Sequence, residues 1–285
     1  MATTPASRIE VLKTYKLFIG GAFPRSESGR VYAIKNSKGD HLANPALASR
    51  KDLRDAVVAA RAAFTGWSAA TAFNRGQILY RMAEILEGRR EQLVTELVAL
   101  EGITVKAATL QVSESVDLLV WYAGWSDKIS TIAGSTNPVS GPYYNFSTPE
   151  PIGVVAVFSA AKPSLLNFVG ALAAVITSGN TAVIIASEKF PLPAITFAEI
   201  MATSDLPSGV VNVLTGSSAE LAPWAASHMD IDAIDASGLT AKQLKDAQSA
   251  GAQNLKRIRT YSSAKSTARI LDFMETKTVW HPIGI

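Results

Sequence analysis

The side chains that most often make and break bonds are few in this sequence and poorly spaced for the task. Three histidines, His41, His228 and His281, lie far apart, and none belongs to an H-E-x-x-H or comparable ligand spacing. Surface or capping imidazoles are the expected reading of all three, and no metal site is expected. None of the 285 residues is a cysteine. This chain therefore offers no thiolate nucleophile, zinc–thiolate site, iron–sulfur ligand or disulfide. Serines are abundant, but no G-x-S-x-G elbow raises one as a nucleophile. Neither G-x-G-x-x-G nor G-x-x-x-x-G-K-[ST] follows a strand, so the common phosphate-cradling loops are missing as signatures.

Charge narrows the partners. With 27 Lys+Arg against 24 Asp+Glu the formal net charge is +3, too small to call for nucleic acid or an anionic membrane. The segment Asn254 to Ile285 carries Lys256, Arg257, Arg259, Lys265, Arg269 and Lys277 against Asp272 and Glu275. Solvated strand edges are the expected reading of that excess, because Tyr261 alone gives little base-stacking surface. Apolar residues make up 48% and charged residues 18%, as in a soluble α/β protein. At a prior of about 150 residues per domain the length allows one large domain or two small ones. Met1-Ala2-Thr3-Thr4-Pro5 lacks a signal-peptide core, and the apolar stretch from Phe168 to Ala186 is interrupted by Thr177-Ser178-Gly179-Asn180. A cytoplasmic, non-membrane protein is expected.

The elements that would position any site follow from periodicity. Leu17 to Gly21 and Val31 to Asn36 read as short strands. Ser49 suits the N-cap of a helix carrying Leu53, Val57, Ala60, Phe64 and Trp67 three or four apart. A second helical stripe runs through Ile78, Leu79, Met82, Ala83, Leu86, Leu93 and Leu97, and a third helix spans about Val105 to Ile129. After Gly141 the pattern changes. Tyr143 to Ser147 is an aromatic-rich strand, and Gly153 to Phe158, Thr181 to Ile185, Val210 to Leu214, Ile231 to Asp235 and Arg257 to Tyr261 read as buried strands. Helical segments, Pro163 to Thr177, Pro193 to Thr203, Ser218 to His228 and Thr240 to Gly251, alternate with them. Such alternation predicts right-handed crossovers and a parallel sheet covered on both faces, with any ligand beyond the carboxyl ends of the strands.

The segment Ala56-Val57-Val58-Ala59-Ala60-Arg61-Ala62-Ala63-Phe64-Thr65-Gly66-Trp67-Ser68 resembles the first helix of the aldehyde dehydrogenase superfamily. Arg75-Gly76-Gln77-Ile78-Leu79, Pro151-Ile152-Gly153-Val154-Val155, Ser178-Gly179-Asn180-Thr181-Ala182-Val183, Asn212-Val213-Leu214-Thr215-Gly216 and His228-Met229-Asp230-Ile231-Asp232 continue the likeness in the family's order, over roughly residues 15 to 262. The resemblance implies an NAD(P)-binding α/β domain and a later catalytic domain that supplies a cysteine. Here Tyr261-Ser262-Ser263-Ala264-Lys265-Ser266 leads directly to Phe273-Met274-Glu275-Thr276-Lys277-Thr278-Val279-Trp280, which resembles the family's last strand. The chain thus resembles a shortened, cysteine-less member lacking most of the catalytic domain, similar to the reduced second module of two-module aldehyde dehydrogenases.

Matched position by position, the resemblance implies losses. The side-chain amide that stabilises the oxyanion falls at Ala161, and the carboxylate general base falls at Tyr261, a phenol of reference pKa about 10. No catalytic residue is expected to survive. The ribose-binding lysine falls at Ile185, while Glu188 matches an acidic ribose partner. The turn near the pyrophosphate corresponds to Ala236-Ser237-Gly238-Leu239. Glu188, Gly216 and Gly238 are therefore the candidate, vestigial cofactor residues; no cofactor is expected, with NAD possible. The implied fold is a Rossmann-like parallel sheet covered by helices, with N-terminal helices and a small oligomerisation sheet. The implied organisation is N-terminal strands and helices over 1–140, an oligomerisation strand over 141–150, a Rossmann-like core over 151–266 and a C-terminal oligomerisation strand over 267–285. The implied function is a non-catalytic subunit that pairs with a full-length aldehyde dehydrogenase, or with itself, through Tyr143 to Ser147 and Thr276 to Ile285. The alternative is NAD(P)-dependent oxidation at a site that a partner completes.

Overall fold

The computed structural model describes residues 11–284, so Met1 to Pro5 and Ile285 lie outside the described residues. A small hairpin, β1 (Ile34–Lys35) and β2 (His41–Ala43), precedes five helices: α1 (Arg50–Ala69), α2 (Ala72–Gly88), α3 (Arg90–Glu101), α4 (Val105–Trp125) and α5 (Ile129–Ala133). Ser49 caps α1 as its sequence suggests. Its hydroxyl accepts from the Lys51 and Asp52 amides, while the Asp52 carboxylate accepts the Ser49 amide at 2.7 Å. The stripe expected as one segment from Ile78 to Leu97 is two helices, because Arg89 leaves helical geometry between α2 and α3. The third helix ends at Trp125, short of the expected Ile129.

The two expected N-terminal strands are mostly irregular. Phe18 bridges Val213 in antiparallel fashion, exchanging hydrogen bonds of 2.9 and 2.7 Å, and Val31 bridges Ala46. Then come β3 (Ser135–Asn137), β4 (Tyr143–Pro151) and β5 (Val154–Phe158), followed by α6 (Ser164–Thr177), β6 (Thr181–Ile185), α7 (Leu192–Met201), β7 (Val211–Leu214), α8 (Ser218–Ser227), β8 (Ala233–Asp235), α9 (Ala241–Gly251), β9 (Arg257–Arg259), α10 (Ala268–Leu271) and β10 (Met274–Pro282).

Five of these strands make a parallel sheet in the order β7-β6-β5-β8-β9, as the alternation of strand and helix implies. The chain order reverses at β5, which places the switch point between β5 and β8. Side-chain alternation divides the sheet between two cores. Val155, Val157, Ile184, Val213 and Ala233 face α2, α4, α6 and α7, whereas Val154, Ala156, Phe158, Val183, Ile185 and Ile234 face α1, α8 and α9. A separate antiparallel sheet, β10-β4-β3, carries the strand expected over Tyr143 to Ser147, which runs on to Pro151. Among the described residues no helix is long and apolar enough to cross a membrane.

Candidate functional site

Parallel topology brings the candidate cofactor residues to one edge. Gly216 lies two residues beyond β7, Glu188 three beyond β6, Ala161 three beyond β5 and Gly238 three beyond β8, all at carboxyl ends. At Gly216 φ is +148°, and a Cβ there would stand 3.1 Å from the Ala48 amide nitrogen, so backbone geometry and packing hold this glycine. Glu188 is exposed and lines a crevice of about 540 Å³ with Tyr32, Glu101, Lys162 and Phe190. The Lys162 ammonium donates to the Glu101 carbonyl at 2.9 Å and stands over the Phe190 ring.

Ala236-Ser237-Gly238-Leu239 is the turn that the resemblance places near the pyrophosphate, where free backbone amides could hold a phosphate. Here every amide from Ser237 to Thr240 is spent inside the chain. Ser237 donates to Asp235 Oδ1 at 3.1 Å, Gly238 to the Phe158 carbonyl at 2.8 Å, Leu239 to the Ala236 carbonyl at 3.0 Å and Thr240 to Gln243 Oε1 at 2.9 Å. A Cβ on Gly238 would collide with the Phe158 and Ser159 carbonyls, so glycine is needed for β8 to close against β5. With its amides satisfied this turn does not fit a dinucleotide pyrophosphate, and Ile185, where the resemblance implies a ribose-binding lysine, is buried and has no donor.

The two positions that the resemblance matches to lost catalytic groups hold other chemistry. Ala161 is an exposed methyl in the turn after β5. The Tyr261 hydroxyl donates to Asp272 Oδ2 at 3.0 Å, and its amide donates to Ser237 Oγ at 2.9 Å. Burial and the neighbouring Asp272 carboxylate both raise the pKa of this phenol far above its ordinary value, so it cannot serve as a base near neutrality. Among the described residues no cluster of histidine and carboxylate side chains is placed to hold a metal ion.

Sequence reasoning missed the strongest polar feature of this edge. Asp235, the last residue of β8, is fully buried and accepts from Arg269 Nε at 3.1 Å and Nη2 at 2.5 Å. Ser237 Oγ donates to its other oxygen at 2.5 Å. The cationic tail was expected to be solvated, yet Lys256 and Arg269 are buried and Arg257 is half-buried. A usable signal was the charged–apolar–charged alternation of Arg257-Ile258-Arg259, which gives β9 one apolar and one charged face.

The Aldehyde dehydrogenase family pattern matches residues 23–282. Human retinal dehydrogenase 2 is 34% identical over 269 residues, covering 92% of this chain and 51% of that protein. The mouse mitochondrial 10-formyltetrahydrofolate dehydrogenase is 33% identical over 261 residues, covering 88% of this chain and 28% of its own length. Among solved structures, an aldehyde dehydrogenase from Bacillus cereus in complex with NAD+ superposes with a TM-score of 0.82 at 29% identity, covering 87% of this chain and 50% of that one. The chain thus spans about half the length of the retinal dehydrogenase it matches. With the five-stranded parallel sheet, the split core and a pattern match over nearly the whole chain, this protein belongs to the aldehyde dehydrogenase family.

Proposed function

We propose that this chain is a non-catalytic aldehyde dehydrogenase-like subunit that assembles with a full-length catalytic relative through β4 and β10. The observation that carries this reading is the lack of any cysteine, because the family's oxidation proceeds through a thiolate adduct that no other residue type here supplies. Commitment of the Tyr261 hydroxyl to Asp272 and of four turn amides to internal acceptors supports it. So does the edge of β10, which among the described residues pairs with β4 on one side only and carries exposed Trp280, with exposed Ile283 just beyond it. A second reading, NAD(P)-dependent oxidation at a site completed by a partner, draws on the exposed carboxylate of Glu188.

Two measurements test the proposal. The purified chain is assayed with an aldehyde panel and NAD(P), with calorimetry at millimolar cofactor; no turnover and no binding heat are expected. The chain is also co-expressed with a full-length aldehyde dehydrogenase, and the two are expected to co-elute on size exclusion. Turnover by the lone chain overturns the non-catalytic reading, and a monomer that never co-elutes overturns the assembly reading.

A further inference from the structure

We infer that residues 261–273 form an intramolecular strap, latched by Arg269 on Asp235, that closes the α4–α6 side of the parallel sheet over β8 and β9. Register sets the need for it. Ala233 pairs with Arg257 and Asp235 with Arg259, and Ala233 faces the core beneath α4 and α6. By alternation Asp235, Arg257 and Arg259 point to that same side. This row of charges at the end of the sheet cannot pack against an apolar helix, and left bare it would break the continuity of the core.

The strap covers it with matching chemistry. Ile270 and Phe273 are fully buried in the α4–α6 core, and Tyr261, Ala264 and Leu271 pack against it. Between these apolar contacts the polar groups pair. Arg269 grips Asp235 through two N–H groups, donates to the Ser263 carbonyl at 3.4 Å and stacks its guanidinium 4.9 Å from the Tyr261 ring centre. Arg257 donates to the Asp272 and Met274 carbonyls at 2.7 and 2.8 Å, and Arg259 stands 3.9 Å from the Asp272 carboxylate. On the helix side the Tyr122 hydroxyl donates to the Ala264 carbonyl at 2.7 Å. Gly170 of α6 makes the seat, since a Cβ there would come within 2.8 Å of the Ala264 methyl.

The latch is an ion pair with side chains 5% and 0% exposed. Such a pair resists loss of one member, because the other is left charged and unpaired in a dry site. The strap therefore covers the face of β8 that carries Asp235 with residues of this chain alone. This holds whether or not the assembly reading does, since every contact in it lies within one chain.

Hydrogen–deuterium exchange of the full chain, read by mass spectrometry, tests it in the wild type, in Arg269→Met and in the double variant Asp235→Leu/Arg269→Met. In the wild type, amides of 269–273 are expected to be protected comparably to β8. Arg269→Met is expected to speed exchange across 261–273 at least tenfold while β5, β6 and β7 keep wild-type protection. The double variant, which removes both charges, is expected to recover most of the strap's protection. Wild-type exchange in 269–273 as fast as in the exposed 138–142 turn overturns the inference. Unchanged strap exchange in Arg269→Met, or an equal rise across every strand, does so too. If Arg269→Met does not fold, the wild-type and double-variant profiles decide.

Discussion

Gly238 and Gly66 are the same residue type under opposite constraints, and the contrast separates packing from backbone entropy. Gly238 donates to the Phe158 carbonyl at 2.8 Å, and any Cβ on it would meet two carbonyl oxygens that strand pairing fixes in place. Gly238→Ala is therefore expected to destabilise the chain by about 1–3 kcal/mol, the usual range for forcing atoms into a filled interior. Gly66 is exposed in the body of α1, and nothing lies within 4 Å of an added Cβ. Gly66→Ala is expected to stabilise it by about 0.5–1 kcal/mol, because alanine gives up less backbone freedom in a helix. Urea denaturation of both variants measures the two signs. A neutral Gly238→Ala would mean that the β5–β8 closure is looser than its hydrogen bond indicates, and would reopen the turn as a place for a phosphate.

At the level of elements, one lysine ties the lead-in to β9 to the loop before β8. The buried Lys256 ammonium donates to the His228 carbonyl at 2.8 Å and also to the Ile231 carbonyl. Burial lowers its pKa to about 8, with Arg61 adding to the effect and Asp232 opposing it. Between that value and the unfolded value of about 10.4 the unfolded chain binds more protons than the folded one, so stability rises with pH across this window. Denaturation at pH 7.5 and 9.5 is expected to show a gain on the order of 1–2 kcal/mol after solvent screening, and Lys256→Met is expected to lack it. An equal pH response in both proteins would remove Lys256 as its source. These elements also show what the sequence disclosed. Apolar runs such as Val154–Phe158 and Thr181–Ile185 revealed β5, β6 and the parallel order, because a strand buried on both faces needs no polar residue. The break at Arg89 stayed hidden, since α2 and α3 both present their leucines inward and a stripe of spacing alone carries no angle. The Asp235–Arg269 pair was equally invisible: a charge 34 residues from its partner looks the same in sequence as one facing water.

For the whole molecule, the consequential surface is the far end of the β10-β4-β3 sheet, where exposed Tyr143 and Trp280 meet on one face, exposed Tyr144 lies on the other and exposed Ile283 follows β10, beside an edge that no other strand among the described residues pairs. The net charge of +3 is too small to hold copies or relatives apart. An edge with aromatic side chains at its end is the kind of feature that proteins cover with another strand. Within the chain β10 is held chiefly by β4, through a nine-residue register, the Ser147–Thr278 hydroxyl contact at 2.9 Å and the Lys277–Glu150 pair at 3.1 Å, with Arg257 of β9 donating to the Met274 carbonyl at its start. Trp280 stands edge-on to Tyr143 at 5.7 Å and is otherwise 58% exposed, so replacing it disturbs the isolated fold little. The double variant Trp280→Asp/Ile283→Asp is expected to match the wild type's stability to within about 0.5 kcal/mol. It is also expected to lose co-elution with a full-length aldehyde dehydrogenase, because two carboxylates would have to be buried without partners at the joint. Leu255→Asp supplies the control: Leu255 is 94% exposed in a left-handed turn beside β9, and its variant is expected to co-elute as the wild type does. Retained co-elution in the double variant would place the contact elsewhere on the molecule, and loss in both variants would trace it to added negative charge rather than to this edge.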